Sequence, residues 1–206
     1  MCKAANYFCR ESGIGLMSLS IPVSRRALRH TRAIDIQAFA RDDGLWDLDA
    51  RITDIKVNAT TLASGKREGG TPLHDLSLRI TVDRQLNIVA AEAVSDAVPY
   101  PGFCNTIGPA YAALVGLNLM KGFRHELKQR LHGIAGCTHL TELAQILPTA
   151  AVQAFANDVW PTHDAASDHL PHDKPFQLDK CHALRTDGGA VAQFYPRWVA
   201  KKSELV

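Results

Sequence analysis

No stretch of the chain approaches 18 consecutive apolar residues, so no segment is expected to cross a membrane as a helix. Neither sign of charge is in excess. A formal net charge of +2 supplies no bulk attraction to nucleic acid or to an anionic membrane. Aromatic residues are sparse at 7%, and none interleaves with the one basic cluster, Arg25, Arg26, Arg29 and Arg32. That cluster therefore reads as a solvated arm, and no nucleic-acid partner is expected. The chain has no GxGxxG, GxxxxGK[ST], HExxH or GxSxG, which removes the nucleotide-binding, zincin and serine-hydrolase readings. Cysteine is scarce and odd in number: Cys2, Cys9, Cys104, Cys137 and Cys181. Scattered in this way they build no disulfide framework, and a reduced, cytoplasmic setting is expected. The first twenty residues carry charges and lack the continuous apolar core of a secretion signal. Met17, followed by SLSIPVSRR, resembles an alternative start.

What is present is ordinary globular composition: 206 residues, 46% hydrophobic and 21% charged, enough for one domain with its own core. Residues 1–19 read as a disordered N-terminal extension. Residues 20–160 read as a single α+β domain, and 161–206 as an irregular tail packing on it.

Period-two alternation marks four strands. AIDIQAF (33–39) and LWDLDARITDI (45–55) flank the turn signal Asp42-Asp43-Gly44. The second of these slips register in a way that suggests a bulge. HDLSLRITV (74–82) places Leu76, Leu78, Ile80 and Val82 on one face, and LNIVAAEAVS (86–95) follows a short turn. Together they predict an antiparallel meander, with 57–71 as a polar loop.

Composition then changes. After the Pro/Gly-rich DAVPYPGFC (96–104), helices are expected over 105–117 with Asn105 as cap, over the amphipathic 121–132, and over 137–157. The last has a capping pattern from Thr138 to Thr141 and Glu142 and a kink at Pro148. Residues 190–200 (AVAQFYPRWVA) alternate weakly and could add an edge strand or pack over the domain. Strands followed by helices define an α+β fold.

Two clusters carry chemistry. Pro72-Leu73-His74-Asp75 opens a strand, and Gly136-Cys137-Thr138-His139 opens a helix. A helix N-terminus favours thiolate, the form that binds metal or attacks carbon. Cys104 stands in a comparable place before an earlier helix. Each residue also has a plainer reading: a cysteine as a small buried hydrophobe, a first-turn histidine as a cap, His74-Asp75 as a strand-start hydrogen bond. Taken together, His74, Asp75, Cys104, Cys137 and His139 suggest one shared site, of a kind often built at loop junctions. Thiolate, imidazole and carboxylate suit one divalent metal ion, zinc or iron. His125 and His132 read as exposed, and His163, His169, His172 and His182 as tail residues. Tyr100, Phe103 and Trp46 are either core or the wall of an apolar pocket beside Cys104, whose ligand would be flat and aromatic.

The segments RDDGLWDLDARITDIK, HDLSLRITVD, AEAVSDAVPYPGFC and GIAGCTHLTEL resemble a bacterial family of unknown function, the DUF 2889 group, over about residues 20–155. The resemblance implies a connection with catabolism of lignin-derived aromatic dimers, through lyases that release a hydroxymethyl carbon as formaldehyde. The order of elements also resembles the iron–sulfur scaffold (NifU-type) fold. On that likeness Cys104 matches the middle cysteine and Cys137 the last, while His74 stands near the place of the missing first one. A mononuclear site is then the more natural inference than a cluster cradle.

Two functions follow from these residues. In the first, a metal-dependent lyase cleaves a C–C bond of a small phenolic substrate. Cys104, Cys137 and His74 or Asp75 are ligands, His139 is ligand or base, Asp75 is a further catalytic candidate, and Tyr100 is an acid or orienting group. In the second, the same residues serve a metal or iron–sulfur carrier without substrate chemistry. A homodimer is compatible with either.

Overall fold

The computed structural model describes residues 19–162 and 174–200. Alternating sequence becomes four long strands: β1 (His30–Ala40), β2 (Trp46–Lys56), β5 (Pro72–Val82) and β6 (Ile88–Ala97). They form one antiparallel sheet in the order β1-β2-β5-β6, the meander expected. The Asp-Gly signal does close the first hairpin: Gly44 sits at φ +82°, and the Arg41 N–H donates to the Leu45 carbonyl at 2.9 Å. The polar stretch after β2 is not all loop. It folds into a small separate hairpin, β3 (Thr60–Leu62) with β4 (Gly65–Arg67). Such three-residue strands are too short to leave a periodic signal. The hairpin is held against the loop after β6, where the Ser64 hydroxyl donates to the Pro99 carbonyl and Arg67 donates to that of Val98 at 2.5 Å.

One face of the sheet is the core. Leu48, Ala50 and Ile52 of β2, and Leu76, Leu78, Ile80 and Val82 of β5, are at most 2% exposed. Burial of each Leu or Ile contributes roughly 1.5–3 kcal/mol. The long helix α2 (Thr138–Phe155) lies across this face, packing on β2, β5 and β1. Its stripe of Leu140, Leu143, Ala144, Leu147, Ala151 and Phe155 is buried, as helical spacing requires. The helix runs through Pro148 without interruption. The shorter α1 (Phe123–Leu131) packs beside it through Phe123, Leu127 and Leu131.

Two expectations are corrected. Residues 105–117 form no α-helix but two 3₁₀ segments, Cys104–Thr106 and Gly108–Leu114. Pro109 has no N–H to donate to residue 105, and Gly108 lies against the Ala93 carbonyl of β6, so the chain takes the tighter winding. Asn105 is not a cap; its side-chain oxygen accepts the Gly102 N–H. Of the two alternatives for residues 190–200, the edge strand is not formed and the segment packs on the domain, as a short helix, α3 (Gly189–Phe194), and a 3₁₀ turn, Pro196–Trp198. Its anchor is Val191, fully buried; so short an alternation does not separate strand from helix. No helix among the described residues is long and apolar enough to cross a membrane.

Candidate metal centre

The inner face of β2 reads Leu48, Ala50, Ile52 and then, at the same parity, Asp54. The inner face of β5 runs back from Leu76 to His74. Register places Asp54 opposite His74 and, on its other side, opposite Arg32 of β1. A row Arg32–Asp54–His74 therefore crosses the end of the sheet, on the face that α2 covers. The first turn of α2 adds His139, and one turn on, Glu142.

Asp54 is the hub and is only 2% exposed. The Arg32 guanidinium grips it with both arms, Nε to Oδ1 and Nη2 to Oδ2, each at 2.8 Å. The free arm of Arg32 reaches Glu142 at 2.7 Å. His30 Nε2 lies 2.8 Å from Oδ1, and His74 Nδ1 lies 3.1 Å from Oδ2. His139 Nε2 approaches the same Oδ2 at 3.6 Å. The two imidazoles stack, with centroids 3.9 Å apart and planes tilted by 33°.

Ligand atoms of Asp54, His74 and His139 all lie within 4.8 Å of one another. Two nitrogens and a carboxylate oxygen so arranged can hold one divalent ion. The charge states fit. Burial pushes the Asp54 carboxyl up, but the hydrogen bonds and charge of Arg32 outweigh it, and the group ends at about 2. Burial holds His74 below its ordinary value, and neighbouring His139 adds to this. Burial likewise lowers His139, with Arg32 next in effect. The imidazoles are thus neutral with lone pairs to offer. As Asp54 is an acceptor only, His74 Nδ1 carries the proton in the metal-free state, and an ion would take that proton's place.

These shifts all favour the site at neutral pH. A carboxyl depressed from 3.8 to about 2 stabilises the fold above 3.8 and loses that contribution as pH falls through 2. Imidazoles depressed from 6.5 keep the folded state neutral while the unfolded chain takes up protons below 6.5. Chelator-treated protein should therefore lose stability progressively on acidification, first below 6.5 and then again between about 4 and 2. Urea midpoints measured across that range check it; a flat profile from 7 to 5 would contradict the imidazole part.

The helix start that delivers His139 is built by Tyr111 and Gly136. Cys137 caps α2 with no side-chain bond, so the Thr138 capping pattern is not used. Tyr111, fully buried, does the work from outside: its hydroxyl receives the Cys137 N–H at 3.0 Å and lies 2.9 Å from both the Cys137 carbonyl and Thr141 Oγ1. Gly136 sits against the Leu131 carbonyl, where a Cβ has no room. Tyr111→Phe leaves the N–H of half-buried Cys137 without this partner and should cost about 1 kcal/mol in chemical unfolding.

Of the residues singled out from sequence, His74 and His139 meet. Cys137 is adjacent, with Sγ 3.9 Å from His139 Nδ1. Asp75 is not part of the site: it points to the other face of the sheet, where Arg51 clamps it at 2.7 and 2.5 Å. Neighbouring residues of a strand face opposite ways, so His74 and Asp75 cannot share a site on one face. Cys104 is packed against the apolar core and is outside the Asp54–His74–His139 group. Arg32 is no solvated arm. The three aromatics read as either core or the wall of a pocket beside Cys104 do not stand together, and only Trp46 packs against the core. Trp46 stands at the opposite end of β2, 5.0 Å from Phe155, while Tyr100 and Phe103 are 45% and 79% exposed. His125 and His132 are exposed, as is His182; His163, His169 and His172 lie outside the described residues.

Residues 30–153 match the sequence profile of a family described as "Protein of unknown function (DUF2889)". The chain belongs to this family. The matched span includes His30, Arg32, Asp54, His74, His139 and Glu142, so the whole constellation lies within the family domain. No curated protein and no solved structure matches the chain.

Proposed function

We propose that this DUF2889 member is a metal-dependent lyase that cleaves a C–C bond of a lignin-derived phenolic and releases formaldehyde. The observation that carries the reading is the convergence of Asp54, His74 and His139. When bound, a zinc or iron ion supplies Lewis acidity to a substrate hydroxyl oxygen. The chain's own residues would do the rest. Arg32 fixes both Asp54 and Glu142, so the donors are positioned before substrate arrives. With His139 among the ligands, the base falls to Glu142, whose second oxygen is left to accept the hydroxyl proton. The hydroxymethyl C–C bond then breaks, its electron pair passing to the carbon left behind, which the aromatic ring stabilises and which takes up a proton. The substrate R–CH₂OH becomes R–H and formaldehyde.

The choice of a phenolic substrate rests on the motif resemblance described above. It is supported by exposed Tyr100 and Phe103, which follow β6 where Ala97 pairs with Asp75, at the same end of the sheet as His74. The alternative, an iron–sulfur carrier of the NifU type, is less well supported. Its cradle needs thiolates, and the converging donors are two imidazoles and a carboxylate.

Elemental analysis of the full chain, purified without a metal-affinity tag, tests the proposal. About one zinc or iron per chain, lost in His74→Ala and His139→Ala and retained in Cys104→Ser, is the expected outcome. Loss of metal in Cys104→Ser would restore the thiolate carrier reading. Absence of stoichiometric metal after reconstitution would remove the metal site altogether.

A further inference from the structure

At the far end of α2 the fold forms a second, half-open place with the character of a binding site. Its wall is Thr149, Val152 and Gln153 of α2, about 15–21 Å along the helix axis from His139 at 1.5 Å per residue. Residues 174–184 close the other side, leaving a cavity of about 860 Å³, a size that takes one- or two-ring ligands. The cavity is pre-formed. Gln177 Nε2 and Tyr195 Oη both donate to the Thr162 carbonyl, at 2.6 and 2.8 Å, which ties the C-terminal segment to the end of the domain. Buried Leu178 and Val191 anchor it.

Three features of the lining specify a ligand. Trp160 and Phe176 meet edge-on at 4.9 Å, at the end of an aromatic chain that continues through Phe155 to Trp46; a flat ring packs well against such a wall. Lys174 and Lys180 stand at the rim. Lys174 is engaged by Asp179 at 2.7 Å, which leaves Lys180, among the described residues, as the cation offered to an anion. Gln177 also lines the cavity, and its Oε1 is buried with no hydrogen-bond partner among the described residues. A buried acceptor without a partner costs about 1–3 kcal/mol, which a ligand hydroxyl can recover.

We infer that this cavity is a binding site for a hydroxylated aromatic acid, separate from the Asp54–His74–His139 centre. The ring lies against Trp160 and Phe176, the carboxylate meets Lys180, and a phenolic hydroxyl donates to Gln177 Oε1 once the side-chain amide turns toward the cavity, giving up its 3.2 Å bond to Tyr195 Oη. Exposed Cys181 lines the same cavity and reports occupancy.

Calorimetric titration of the full chain with 4-hydroxycinnamate, cinnamate and 4-hydroxycinnamyl alcohol tests this. The hydroxy acid should bind saturably, and removing either the hydroxyl or the carboxylate should weaken binding about tenfold. Lys180→Glu, a surface change, should abolish the preference for acid over alcohol, and Phe176→Ala should weaken all three. Bound hydroxy acid should slow alkylation of Cys181, and His139→Ala should bind as the wild type does. No saturable binding up to about 1 mM, equal binding of cinnamate and hydroxycinnamate, or loss of binding in His139→Ala would overturn the inference.

Discussion

Asp54→Ala is expected to abolish metal binding and to lower stability by about 3 kcal/mol, the lower part of the range for breaking a buried ion pair. The lower part applies because the partners can rehydrate. Asp54 is 2% exposed, but the side chains of Arg32 and His30 are 34% and 40% exposed. For a chain of this size that is a fall in Tm of roughly 6–12 °C. Asp54→Asn separates the two effects. The amide keeps the shape and one acceptor oxygen, so stability should fall by less, while a neutral amide in place of the carboxylate should still empty the metal site. Differential scanning calorimetry beside elemental analysis reads both. An Asp54→Ala protein as stable as the wild type would mean that the Arg32–Asp54–His74 row does not hold the sheet end together.

His139→Ala should reduce formaldehyde release by more than about a thousandfold, since even residues behind metal ligands commonly account for 10–100-fold in affinity or activity. Two companion variants locate the roles. Arg32→Ala removes an orienting group and should weaken metal affinity by roughly 10–100-fold. Glu142→Gln should keep the metal and lose about 10²–10⁴ in turnover, as expected of a general base. The informative readout is metal content and rate measured on the same preparations. Glu142→Gln with full activity would remove Glu142 as the base, and His139→Ala with full activity would remove the centre from catalysis.

His74 and His139 were legible in the sequence because each opens an element after Gly or Pro punctuation. Asp54 and His30 were not singled out, and Arg32 and Glu142 were read for other roles, as part of a solvated basic arm and of a capping pattern. A signal for Asp54 was present: it continues the Leu48, Ala50, Ile52 parity, as His74 continues that of Leu76, Leu78 and Ile80. Strand parity applied strictly would have turned Asp54 and His74 inward and Asp75 outward. The cysteines misled for the opposite reason. A half-buried cysteine at a loop junction has the same local sequence whether it binds metal or only packs, and Cys104 packs.

By itself the sequence determined the four strands, their meander and the two main helices, because period-two and period-3.6 patterns follow from backbone geometry and need no partner. Only the tertiary structure decided the site. Arg32 meets Glu142 across 110 positions of chain and Asp54 across 22, and no local pattern encodes such a meeting. It comes from strand register, which sets Arg32, Asp54 and His74 in one row, and from the angle at which α2 crosses the sheet, which brings its first turn above that row.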